Sequence, residues 1–192
     1  AVGTGDSGNG GLISIKAGES TANPGDPPMA TGGRVDITSG FGVQSSSGNI
    51  KLATADAGET GVSGKIDLKT GKSTEGNSGD IAIRTGDATG GRGGAITLTV
   101  GIGDSGNGND IFLQAGTTTG EEASGGNFLV KSGFSKQSSS GNINIVTANS
   151  GGTAMGVSGL ISLSTGTSSS GNSGALLFVT GEATAGRGGD ID

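Results

Sequence analysis

The sequence contains no cysteine and no histidine among its 192 residues. Without cysteine there are no disulfides, no thiol nucleophiles and no thiolate zinc sites. Without histidine the chain lacks the commonest general base and metal ligand. Trp and Tyr are absent as well, and five Phe account for all of the 3% aromatic content. These absences predict that the protein is not an enzyme.

Long apolar runs and basic clusters are also missing. No apolar run approaches the length needed to cross a bilayer, so we expect no membrane insertion. The net charge is -6 and no stretch concentrates Lys or Arg, so we expect no nucleic-acid partner. Glycine is abundant instead, with 44 residues, a composition that is compatible with disorder. Regular spacing of the apolar residues argues against disorder.

One eight-residue phrase recurs along the chain. It usually begins with Gly, carries aliphatic residues or Phe at its third and fifth positions, and usually ends in a small residue followed by Gly. The copies are GLISIKAG (11–18), GRVDITSG (33–40), GNIKLATA (48–55), GKIDLKTG (64–71), GDIAIRTG (79–86), GAITLTVG (94–101), NDIFLQAG (109–116), GNFLVKSG (126–133), GNINIVTA (141–148), GLISLSTG (159–166) and GALLFVTG (174–181), with a twelfth starting at Gly189. Their commonest step is 15 residues.

A longer repeat is superimposed on the short one. QSSSGNI at 44–50 returns at 137–143, and GVSG at 61–64 returns at 156–159. We therefore expect residues 1–192 to form a single continuous repeat array. We expect this array to hold two long repeats of about 95 residues, about 1–100 and 101–192, and to be a window of a longer protein.

The phrases predict an all-β fold. Apolar and mostly polar residues alternate with period 2, which places Ile81 and Ile83 inward and Asp80, Ala82 and Arg84 outward. The spacing predicts a parallel β-solenoid of about 12 short strands with roughly 15 residues per coil. The alternatives are about 31 residues per two-strand coil, a β-sandwich and an antiparallel meander.

Charge favours the 15-residue winding. Asp36, Lys51 and Asp67 would alternate in sign along one outward column, whereas the 31-residue winding would place Asp36 directly on Asp67. Thr recurs at the ends of the phrases, and we expect it to form a hydrogen-bonded ladder beside the core; its members are Thr54, Thr70, Thr85, Thr147, Thr165 and Thr180.

Glycines are copied more faithfully than apolar residues between the long repeats. TGDATGGRGG (85–94) returns almost unchanged as TGEATAGRGG (180–189). A phosphate-binding loop would need a helix to follow, but a phrase follows instead. We expect these glycines to form corners that need positive φ, which side chains with a Cβ tolerate poorly.

The candidate cation ligands lie in GDSGNGND (103–110). Asp104, Asn107, Asn109 and Asp110 supply the oxygen ligands that Ca²⁺ prefers, although the EF-hand spacing is missing. We expect no other cofactor. Four hydroxyl clusters could carry O-linked glycans, at 45–47, 117–119, 138–140 and 168–170.

Apolar residues also occur at outward positions, mostly in the second long repeat. Exposed apolar patches usually mark contacts. The candidate lateral contact residues are Phe112, Leu129, Leu160, Leu177 and Val179. They would pack against another protofilament, another segment of the chain or a partner, or lie beneath an insertion such as 21–33.

The phrase GxIxLxTG and its connections resemble two groups of proteins. TGTSSSGNSG (165–174), GDSGNG (103–108) and GVSG resemble giant Gly/Ser/Thr-rich extracellular repeat proteins of diatoms and other heterokont algae, in surface fibres, hairs or adhesive material. A more distant resemblance is to β-helical adhesins of filamentous-haemagglutinin type. The resemblance implies an extracellular, cell-surface structural protein that self-associates into filaments or with neighbouring copies of the array. The alternative function is an adhesin, or an ice- or glycan-binding solenoid.

Overall fold

The computed structural model describes residues 9–21, 31–151 and 156–192. Within these ranges the chain forms no helix and no β-strand, and bends separate extended or irregular segments. The predicted parallel β-solenoid is therefore wrong, and so are its two windings and the β-sandwich and meander alternatives. The phrases do not pair with one another in ladders.

None of the described residues is buried, so these ranges contain no hydrophobic core. Ile81 and Ile83, which the alternation predicts to face inward, are 57% and 71% exposed.

The predicted strands do not form because alternation of apolar and polar residues specifies only the local direction of side chains. A stable strand also needs a neighbour for its backbone and a second layer to cover its apolar face. Each phrase has just two regularly apolar positions, its third and its fifth. The glycines on either side of them lose more conformational entropy on ordering than any other residue. The area that one phrase could bury does not offset that entropy.

Local alternation is nevertheless visible in the ion pairs. The Asp67 carboxylate lies 3.2 Å from Lys65 Nζ and 3.5 Å from Lys69 Nζ, so residues two apart lie on one side of the phrase. Asp36 pairs with Arg34 of its own phrase, not with Lys51 as the predicted column requires. Two further ion pairs, Lys16–Glu19 and Arg187–Asp190, each link a phrase to the adjoining loop. Among the described residues, no ion pair joins one phrase to the next.

The chain divides into two units, Ala1–Ile96 and Thr97–Asp192. In unit 1 the described chain bends at 43–45, 74–76 and 89–91. In unit 2 the corresponding segments bend at 136–138, 169–171 and 184–186. These three bends thus lie at equivalent positions in the two copies of the long repeat.

Candidate functional site

The phrases are connected by loops whose two ends meet. In unit 1 the Gly33 N–H donates to the Gly18 carbonyl at 2.8 Å, and the Gly48 N–H donates to the Gly40 carbonyl at 2.9 Å. Unit 2 has the same two closures, from Gly126 to Gly116 at 2.9 Å and from Gly141 to Gly133 at 3.0 Å. In each of them the first Gly of a phrase returns to the last Gly of the preceding phrase.

Other loops close by a contact between threonine and glycine. A Cβ placed on Gly64 would lie 3.1 Å from the Thr54 methyl carbon, and one on Gly159 would lie 3.3 Å from that of Thr147. Four further closures pair Thr70 with Gly79, Thr85 with Gly94, Thr165 with Gly174 and Thr180 with Gly189. The predicted Thr ladder beside a core is wrong, because the described chain has no core and each Thr lies against a glycine.

Alanine at Gly64 is expected to open the loop that Thr54 closes. Its Cβ would lie 3.1 Å from Thr54 Cγ2 and 3.3 Å from Thr54 Cβ, and β-branched Thr has little freedom to rotate away. Overpacking of this kind costs about 1 kcal/mol. The nuclear Overhauser contact between residue 64 and the Thr54 methyl group should therefore weaken severalfold.

The matched control for this prediction is Gly79→Ala. Its Cβ would lie 3.7 Å from the Thr70 methyl carbon, an ordinary van der Waals distance. This variant should keep its Thr contact. Equal loss, or equal retention, of the contact in both variants would contradict the steric explanation.

Positive φ does not explain the copied glycines of 85–94 and 180–189. Gly90 has φ +80°, yet its counterpart is Ala185, which is not in the positive-φ region. Among the copied glycines, Gly94 lies close to a threonine: its Cβ would lie 3.3 Å from the Thr85 methyl carbon. A Cβ on its counterpart Gly189 would lie 3.7 Å from that of Thr180, an ordinary van der Waals distance. The prediction that positive φ explains the copied glycines is thus wrong, although Gly90 itself does turn with positive φ. Close approach to Thr favours Gly at position 94.

The two units form one equivalent turn by different means. A Cβ on Gly42 would lie only 2.6 Å from the Ser46 carbonyl oxygen, so the backbone closes tightly there. The counterpart of Gly42 is Ser135, whose hydroxyl accepts a hydrogen bond from the Ser138 N–H at 3.0 Å. A close backbone approach in unit 1 is replaced by a side-chain hydrogen bond in unit 2.

The candidate lateral contact residues are all strongly exposed. Phe112 is 80%, Leu129 84%, Leu160 87%, Leu177 77% and Val179 73% exposed. Their side chains are therefore accessible to a neighbour. The insertion proposed to cover them lies largely at 22–30, outside the described residues.

Several exposed apolar residues were missed by the sequence reasoning. Val146 occupies the same outward side as the contact residues and is 82% exposed. Phe41 and Phe134 lie at equivalent loop positions, as do Val62 and Val157, and all four are between 86% and 95% exposed. Comparison of the two long repeats position by position would have identified these two pairs.

The calcium candidates lie around a bend at 104–106, where Gly106 has φ +74°. Asp104, Asn107, Asn109 and Asp110 are all exposed. No group of three or more carboxylates placed to hold a metal ion occurs among the residues that the structure describes. The four hydroxyl clusters are likewise exposed on loops.

No cavity and no helix long and apolar enough to cross a membrane is found in the described part of the chain. In comparisons with protein-family models, curated protein sequences and solved structures, nothing matches this chain. Exposed apolar phrases and closed loops are therefore the features from which a function can be argued.

Proposed function

We propose that this chain is a segment of a non-catalytic, extracellular structural protein that self-associates through its repeated phrases. The observation that carries the proposal is the exposure of the large apolar residues of the phrases, which ranges from 43% at Val100 to 88% at Leu12. Exposed apolar area of this extent is characteristic of surfaces that bind another surface. Burial between chains would gain the hydrophobic free energy that the single chain leaves unrealised.

The repeat supports association with copies of itself. The same phrase occurs eleven times, so one chain offers many equivalent contact sites. Many weak contacts on one chain act together through high effective concentration. The hydroxyl clusters of the loops are exposed and therefore accessible for O-linked glycans. The extracellular location is carried by the sequence resemblance to surface-fibre proteins.

Self-association can be measured by sedimentation velocity over a wide range of protein concentration, with electron microscopy of the concentrated sample. We expect mass to increase with concentration and elongated particles to form. A quadruple variant, I81S/I83S/L176S/F178S, removes the third- and fifth-position side chains of one phrase in each unit. It should weaken association at least tenfold.

The control is Ile102→Ser, which removes an exposed apolar side chain that lies outside the phrases. This variant should associate like the unchanged chain. A chain that sediments as an 18.1 kDa monomer at every concentration would refute the proposed function.

A further inference from the structure

An asparagine follows a positive-φ glycine at three bends of the described chain. In each case the glycine is the last residue of the bend, and the asparagine after it is exposed. The three pairs are Gly76–Asn77, Gly106–Asn107 and Gly171–Asn172, with φ of +110°, +74° and +113° at the glycine. The three asparagines therefore share one local setting.

The residue after the asparagine is where the three bends differ. Gly108 follows Asn107, whereas Ser78 and Ser173 follow the other two asparagines. A Cβ at Gly108 would meet nothing within 4 Å, so open space surrounds this part of the backbone. Glycine also reaches backbone conformations that residues with a Cβ rarely adopt. The backbone nitrogen after Asn107 is therefore the least hindered of the three.

The Asn107–Gly108 pair is also free of restraint by hydrogen bonds. Neither the Asn107 amide nor the Gly108 N–H makes a hydrogen bond to another described residue. No helix or strand fixes the backbone dihedral angles at this point of the described chain. The Asn107 side chain can therefore turn towards the backbone nitrogen of Gly108.

This juxtaposition allows a ring-closing reaction within the chain. The Gly108 nitrogen attacks Asn107 Cγ and forms a new C–N bond, while the bond from Cγ to Nδ2 breaks and Nδ2 leaves as ammonia with the proton of the Gly108 N–H. Intramolecular attack of this kind is fast when the two atoms reach a near-attack geometry. The product is a five-membered succinimide ring.

Water then opens the ring in one of two ways. Cleavage of the bond between the nitrogen and Cγ gives aspartate, and cleavage of the bond to the backbone carbonyl carbon gives isoaspartate, in which the main chain runs through the side chain. One water is consumed and one ammonia is released, and nothing is oxidised or reduced.

We propose that Asn107–Gly108 is a spontaneous modification site, at which Asn107 converts to aspartate and isoaspartate without an enzyme. The hexapeptide GDSGNG that contains it, at 103–108, also occurs at 5–10, where Asn9 and Gly10 are both exposed. Each long repeat therefore carries one such site. This inference does not depend on the proposed self-association.

The modification changes the charge of the loop. It places a new carboxylate between Asp104 and Asp110 and adds one negative charge per site to the net charge of -6. The isoaspartate product also lengthens the main chain by one atom directly after the bend at 104–106. Modified chains should therefore separate from unmodified ones on anion exchange.

The first test compares asparagines within one sample. The full chain is incubated at high dilution in neutral buffer, and peptide mapping by mass spectrometry follows the loss of each side-chain amide. Asn107 should lose its amide at least fivefold faster than Asn77 and Asn172, because a Cβ on the next residue hinders ring closure. Loss at Asn107 that is no faster than at Asn172 would overturn the proposal.

The second test exchanges the residues that differ. Gly108→Ser should slow the reaction of Asn107 to the rate of Asn172, and Ser173→Gly should bring Asn172 to the rate of Asn107 in the unchanged chain. If Gly108→Ser leaves the rate at Asn107 unchanged, the glycine nitrogen does not limit the reaction and the assigned chemistry is wrong.

The third test asks whether the folded chain restrains the site. Because no hydrogen bond holds Asn107 or Gly108, its rate in native buffer should lie within about twofold of its rate in concentrated urea. A native rate at least tenfold below the rate in urea would overturn the proposal. All three readouts are the mass of residue 107 or 172 in dilute solution, so a failure of self-association would leave this inference standing, and the reverse.

Discussion

Alanine at Gly42 is expected to open the loop between Gly40 and Gly48. A Cβ at residue 42 would lie 2.6 Å from the Ser46 carbonyl oxygen and 2.8 Å from that of Ser45. Both obstacles are backbone atoms, so no side-chain rotation relieves the clash. Overpacking costs about 1–3 kcal/mol, whereas the closing hydrogen bond from Gly48 to Gly40 contributes about 0.5–1.5 kcal/mol.

The clash therefore outweighs the bond that holds the loop closed. We expect amide hydrogen exchange at Gly48, measured by nuclear magnetic resonance, to accelerate severalfold in Gly42→Ala. Gly40→Ala is the matched control, because a Cβ there would meet nothing within 4 Å. Unchanged exchange at Gly48 in Gly42→Ala would show that the loop does not close as described.

Alanine at Gly171 is expected to change the turn at 169–171, while alanine at Gly90 is expected to be tolerated. Gly171 has φ +113° and its unit 1 counterpart Gly76 has φ +110°, so both copies use a conformation that residues with a Cβ rarely adopt. Forcing Ala into the left-handed region costs about 1–2 kcal/mol. The chain should leave that conformation in Gly171→Ala.

A turn without positive φ is available to Gly90→Ala, because Ala185 at the counterpart position forms its turn in that way. We expect it to adopt that turn at a cost within about 0.5 kcal/mol. Backbone scalar couplings and chemical shifts of the substituted residue and its neighbours report the change of φ. Chemical-shift changes that spread along the chain in Gly90→Ala but not in Gly171→Ala would reverse the expectation and contradict the turn assignment.

Internal comparison of the sequence established the repeat but not its structure. In both units, the residues that precede successive loops follow the same order of types: Ala, Ser, Thr, Thr and Thr. They are Ala17, Ser39, Thr54, Thr70 and Thr85 in unit 1 and Ala115, Ser132, Thr147, Thr165 and Thr180 in unit 2. The structure shows that this order separates two kinds of loop closure. Closures that follow Ala and Ser bring two glycine backbones into hydrogen-bond contact, and those that follow Thr bring a methyl group against a glycine.

The predicted fold was wrong because a rule about side-chain direction within one phrase was extended to pairing between different phrases. Period 2 correctly places Lys65, Asp67 and Lys69 on one side of their phrase. The inference that phrases stack required pairing between segments 15 residues apart, and no pairing of that kind forms in the described ranges. A short alternating pattern does not determine whether pairing with another strand lowers the free energy of the chain.

By itself, the sequence determined the repeat period and the absence of histidine and thiol chemistry. Those properties depend on residue identity and spacing alone. Only the tertiary structure decided that the aliphatic residues remain exposed, that the loops close on themselves, and that Gly94 is needed for its proximity to Thr85 and not for its φ. These outcomes depend on distances between residues far apart in the chain, where loop entropy and packing compete and local pattern has no influence.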